Sequence, residues 1–150
     1  MRTINVNKEV RITNEYIKSS NRDNCINIYD ENETGGFTQF VICFDMVAQC
    51  CEEFDMDILN DDGIDIQNWN GLTKKLERIE VYAEPTEVIF DTIENKWGIN
   101  IDEVILTRLY FDDTTWTVTI YNVHNGYYSH DLYMEHKEDG TIAFEIDDTL

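Results

Sequence analysis

Proline is almost absent. Pro85 stands alone among 150 residues, and glycine numbers only 7. Few turns are forced, and no Pro/Gly/Ser-rich linker divides the chain, so one domain spanning residues 1–150 is expected. No run approaches the ~18 consecutive apolar residues of a membrane helix. The start, from Met1 to Glu9, lacks an apolar stretch followed by a small-residue cleavage site, so it is no secretory leader. The chain therefore reads as cytoplasmic. Cysteine is sparse: Cys25, Cys43, Cys50 and Cys51. In a reducing compartment these read as buried thiols rather than bridges. Basic residues are the scarcest class for their usual role. Lys+Arg total 11 against 31 Asp+Glu, a formal net charge of −20. Such a polyanion has no surplus cations to offer nucleic-acid phosphates or anionic lipid, which excludes both as direct partners.

What is present is unevenly placed. Residues 1–22 are net basic, through Arg2, Lys8, Arg11, Lys18 and Arg22. From Asp23 to Thr73 there is no Lys or Arg at all, while 12 acids occur. Seven of them fall within Glu52–Asp65: Glu52, Glu53, Asp55, Asp57, Asp61, Asp62 and Asp65. Asp30, Glu31 and Glu33 form a second, smaller group. Residues 109–150 hold nine acids and a single cation, Lys137. Like charges this dense repel one another over a Debye length of ~8 Å. One reading is solubility alone. The sharper reading is a surface that meets a cationic partner.

The pattern predicts an α+β, mostly β domain. Glu103–Phe111, Trp116–Val123, Tyr127–His136 and Thr141–Ile146 are dense in β-branched and aromatic residues. Asn125-Gly126 and Asp139-Gly140 supply two-residue turn signals between them. An antiparallel meander of four C-terminal strands follows, in which Val118 opposes Tyr133 and Tyr121 opposes His130. Apolar groups on both faces predict that both are partly covered. Cys25–Tyr29 and Phe37–Val47 read as an N-terminal hairpin. Phe54–Leu59 alternates apolar and acidic residues, a strand with an acidic outer face. Leu72, Leu76 and Ile79 are at helical spacing and predict a short helix, although Arg78–Tyr82 also suits the start of a strand. Residues 86–100 suit either class.

Catalytic and metal chemistry finds little support. Zinc needs ligand pairs at short spacing, and there is no C-x₂-C. His130 and His136 share a face of a presumed strand and His124 lies on the other, so the histidines do not converge. Asn60-Asp61-Asp62-Gly63 suggests a calcium loop. Placing Gly63 at the sixth position puts Ile58 first and Trp69 twelfth, where oxygen ligands are required. No phosphate-cradling glycine motif occurs. With 31 acids, some carboxylate pair always fits an acid–base geometry and so carries no information. The reading is of a non-enzyme with no metal and no cofactor.

Three local features occur together: Gln49-Cys50-Cys51-Glu52, the Trp-bearing segment 116–123, and Asn125-Gly126-Tyr127-Tyr128-Ser129. Together they resemble a family of small phage and prophage proteins carrying an early "CCE" and a late "NGYYS" element. The resemblance spans roughly residues 37–136 and implies a mobile-element context. That family has no established activity, so no catalytic residue is carried over. Charge and context together predict an acidic, phage-type inhibitor, anti-CRISPR or anti-defence-like. It would bind the basic groove of a host nuclease or other DNA-handling protein by mimicking phosphates. An immunity protein neutralising a basic toxin requires the same surface. A nucleotide or small-molecule sponge would have to gather Lys74, Lys75 and Arg78 at one place.

Overall fold

A computed structural model describes residues 1–14, 24–32, 36–44, 53–82, 104–123 and 131–149. These form nine strands: β1 (Arg2–Thr13), β2 (Asn24–Tyr29), β3 (Gln39–Phe44), β4 (Glu53–Leu59), β5 (Leu72–Tyr82), β6 (Val104–Phe111), β7 (Thr115–Val123), β8 (Asp131–Glu138) and β9 (Thr141–Thr149). All pair antiparallel in one open sheet, ordered β4-β7-β6-β5-β1-β2-β3-β8-β9. The chain is mostly β, as its composition predicts, and no helix occurs among the described residues.

Alternation builds the core. Ile4, Val6, Val10 and Ile12 are buried along β1, and Ile26 and Ile28 along β2. Phe40, Ile42 and Phe44 continue the same face on β3, and Val118 and Ile120 on β7. These residues join Leu76, Ile79, Leu109, Trp116 and Met134 in one apolar cluster reaching from β4 to β9.

A flat nine-stranded sheet could not gather them. Strands β1 and β9 are four spacings apart, or ~19 Å at ~4.8 Å each. Yet the Arg2 guanidinium lies 4.4 Å from the centre of the Phe144 ring and donates to the Ala143 carbonyl at 3.2 Å. The sheet therefore curls so that β9 turns back toward β1. Stagger accompanies the curl. β1 pairs with β5 from Arg2 to Ile12, but with β2 only through Arg11–Thr13. Ala143 is the extra residue of a bulge opposite His136 and Lys137, and Arg2 satisfies its carbonyl.

The N-terminal hairpin stands as expected, with Cys25 opposite Cys43 and Ile28 opposite Phe40. Consecutive pairing also holds for β6–β7 and β8–β9. The pairing expected across Asn125-Gly126 does not form. Val118 pairs with Ile58 and Thr107, while Tyr133 pairs with Cys43 and Asp147. Residues 124–130 lie outside the described residues, so the expected partner of Tyr121, His130, does too. β7 and β8 stand in opposite halves of the sheet, each already flanked on both sides.

The helix expected at Leu72–Ile79 is instead the first part of β5. A bulge between Leu76 and Arg78 adds one residue, so Leu76 and Ile79 reach the same face at a spacing of three. The second face is also buried in places, at Leu106, Thr119 and Tyr121 and at Cys25, Val41 and Cys43. That agrees with the expectation from its apolar content.

Candidate functional site

The acids of Glu52–Asp65 divide between a strand and a loop. Glu53, Asp55 and Asp57 occupy every second position of β4, at registers facing Val123, Tyr121 and Thr119. Asp57 is buried, at 9% exposure, and so is no part of an exposed docking surface. Glu52, like Glu33, lies outside the described residues.

The remaining three, Asp61, Asp62 and Asp65, are exposed on the loop that leaves β4. Asn60 shapes this loop. Its side-chain oxygen accepts from the backbone N–H of Asp62 at 2.9 Å and of Ile64 at 3.0 Å, replacing ladder partners lost at the strand end. Gly63 supplies the positive φ of 72° that the reversal needs. Leu59 then bridges Asp65, and the Ile66 N–H donates to the Ile58 carbonyl at 2.7 Å.

Asp61 fastens the loop to a distant part of the chain. Its carboxylate accepts from the Thr114 hydroxyl at 3.0 Å and from the Thr115 N–H at 3.2 Å. Thr114 and Thr115 end the β6–β7 turn, which carries exposed Asp112 and Asp113. Asp61, Asp62, Asp65, Asp112 and Asp113 thus share one end of the sheet. The first three form a charge run in the sequence. Asp112-Asp113 looks like turn material there, because about fifty residues separate the two segments and only the fold joins them.

One ammonium group is bound to these five carboxylates. Lys74 donates to Asp113 at 2.9 Å and lies 5.4 Å from the Phe111 ring and 5.7 Å from the Trp116 ring. The hydrogen bond from Lys74 holds the Asp113 carboxyl below the usual carboxylate range. Lys75 is exposed, and its carbonyl accepts from the Asp112 N–H at 3.2 Å. The end keeps an excess of negative charge at neutral pH.

The second acid group is differently employed. Asp30 is 3% exposed and meets the Lys8 ammonium at 3.1 Å, while its other oxygen accepts from the Asn32 N–H at 3.0 Å. A carboxylate so enclosed is a structural ion pair, which corrects its expected place on a docking surface. Glu31 is exposed and pairs with Arg11 at 3.3 Å, a contact that solvent makes weak.

The cations considered for a nucleotide site do not gather. Lys74 is held by Asp113, whereas Arg78 stacks 3.7 Å from the centre of the Tyr110 ring and lies 3.8 Å from Glu80. Among the described residues no group of three or more His, Cys, Asp or Glu is arranged to hold a metal ion. No helix among them is long and apolar enough to cross a membrane. No protein-family model, curated protein or solved structure matches this chain.

Proposed function

We propose that this chain is a non-enzymatic, phage-type inhibitor whose acidic end docks on the cationic groove of a nucleic-acid-handling protein. The observation that carries this reading is the Asp61 clamp. By holding Thr114 and Thr115, it places Asp62 and Asp65 beside Asp112 and Asp113 on two short, structured loops. Duplex DNA offers one negative charge per ~1.7 Å of axis, and the proteins that hold it line their grooves with Lys and Arg. Preordered carboxylates compete for such a groove without an ordering cost at binding. Complementary fields then speed encounter in a salt-dependent way.

The test is capture from a host lysate with immobilised protein, at low salt and at roughly 0.5 M salt, where the Debye length falls to a few Å. The comparison protein carries Asp62→Asn, Asp65→Asn and Asp112→Asn and keeps Asp61 intact. The expected result is a nucleic-acid-binding protein captured by the parent chain at low salt, and lost both at high salt and with the triple variant. Equal capture under all four conditions would overturn the reading.

A further inference from the structure

A cavity of about 530 Å³ opens where the ends of β2 and β3 meet the β8–β9 turn. Its size falls in the range of small-ligand sites, about 300–1,000 Å³. Tyr29, Asp30, Thr38, Gln39, Lys137 and Asp139 line it. None of these residues belongs to the acidic end.

The polar groups of the wall divide into those already committed and those open to a guest. Asp30 is neutralised by Lys8 at 3.1 Å. Lys137 is neutralised by Glu135 at 3.1 Å, and Glu135 is itself buried and accepts from the Tyr133 hydroxyl. The Thr38 hydroxyl donates to the Lys137 carbonyl. Gln39 donates its amide N–H to Asn27 at 2.9 Å, which leaves its Oε1 as an acceptor. Asp139 is exposed and forms no ion pair with the described cations. Its carboxylate is the one uncompensated charge of the wall. Tyr29 adds a half-buried ring and hydroxyl.

The open set is therefore a carboxylate, an amide oxygen and an aromatic ring. That combination suits a planar monocation, since guanidinium donates in a fork to carboxylate and stacks on aromatic faces. The same chemistry operates elsewhere in this sheet, where Arg78 lies on Tyr110 at 3.7 Å. A concave site in a chain of net charge −20 also concentrates cations. We infer that this cavity is a binding site for a guanidinium group, held by Asp139 and Gln39 and stacked on Tyr29. An arginine side chain of a protein and a free guanidino compound share this chemistry.

The test is amide-resolved NMR titration of the full chain at roughly 0.15 M salt, where diffuse attraction is screened beyond ~8 Å. The probes are N-acetyl-arginine amide, methylguanidine, and N-acetyl-norleucine amide as the neutral control. Saturable shifts are expected for both guanidinium probes at residues 29–32, 38–40 and 137–140, and none for the control. Asp139→Asn should weaken binding at least tenfold. Asn tolerates the left-handed backbone that Asp139 adopts, at φ 50°, so the turn survives this change. Tyr29→Leu should weaken it severalfold. Tighter binding of the acetylated amide than of methylguanidine points to a protein side chain as the natural guest, and the reverse order to a free compound. The inference is overturned by either of two results. One is the absence of saturable shifts up to ~10 mM, above the millimolar Kd of a weak fragment. The other is binding that Asp139→Asn leaves unchanged. Neither result bears on the acidic end, whose test rests on other residues.

Discussion

The thiol sulfurs of Cys25 and Cys43 stand 2.8 Å apart, at directly opposed positions of β2 and β3. Opposed residues of an antiparallel pair have Cα atoms ~4.5–5.5 Å apart, within the span a disulfide accepts. A small-molecule disulfide oxidant such as diamide, a two-electron thiol oxidant, should convert the pair into a cystine with loss of two hydrogens. Burial, at 5% and 0% exposure, makes the reaction slow until the hairpin opens. Mass spectrometry after digestion should recover the Cys25–Cys43 cross-linked peptide. Closing a loop of this length stabilises by about 3 kcal/mol. Denaturant melts of oxidised protein and of Cys43→Ala should move in opposite directions from the parent.

Asp61→Ala removes the acceptor for the Thr115 N–H and the Thr114 hydroxyl. The expected loss is about 1 kcal/mol, a midpoint decrease of ~2–4 °C in a chain of this size. Hydrogen exchange at Thr115 should quicken while the exchange of Ile28 on β2 stays unchanged. Equal quickening at both would mean that Asp61 acts on the whole sheet rather than on the junction of two loops.

Asp30→Ala removes the buried carboxylate that meets the Lys8 ammonium at 3.1 Å. Breaking a wholly buried pair costs ~3–5 kcal/mol, and the 29% exposure of Lys8 lowers this to about 2 kcal/mol. Urea denaturation measures it. Lys8→Met should cost less in the Asp30→Ala background than in the parent chain, the mark of a coupled pair.

His136 lies on the core face of β8, stacked on Phe37 with centroids 5.1 Å apart. Burial pushes its pKa below the ordinary value of 6.5, helped by the nearby Arg2 charge and opposed by Glu138. The folded state thus takes up a proton less readily than the unfolded state. The stability from neutral His136 is fully present above pH ~6.5 and is lost as pH falls from there through the lowered folded value. Carboxylates titrate lower, so the window from pH 7.5 to 5.5 separates the two effects. His136→Gln should flatten the pH dependence of stability in that window relative to the parent chain.

Local alternation made several elements legible. Phe54–Leu59 alternates in period two and is β4, and Asp139-Gly140 forms the expected turn, with φ of 50° and 76°. β1 carries the same alternation in Ile4, Val6, Val10 and Ile12, broken between Val6 and Val10 by an irregularity in its pairing with β5. Leu72–Ile79 misled for a definable reason. A bulge shifts the phase of β5 by one residue, and a broken period of two imitates one of 3.6. Asn125-Gly126 misled because turn chemistry speaks only for neighbours, while the partners of β7 and β8 are chosen by long-range pairing. The candidate site divided along the same line. Asp61, Asp62 and Asp65 were visible as a charge run. Their union with Asp112 and Asp113 depends on a hydrogen bond spanning 53 residues.

The borders of the sheet are β4 and β9, which would otherwise offer open rows of backbone donors and acceptors. One border carries Glu53, Asp55 and Asp57, the other Glu145, Asp147 and Asp148. At neutral pH, two copies brought edge to edge set two acid-rich strands against one another. Concentrated salt screens that repulsion, the Debye length shrinking to ~3 Å at 1 M. The same chain then loses the guard on two border strands, and fibre growth by strand addition becomes the route of failure, one that returning to low salt before nucleation should prevent.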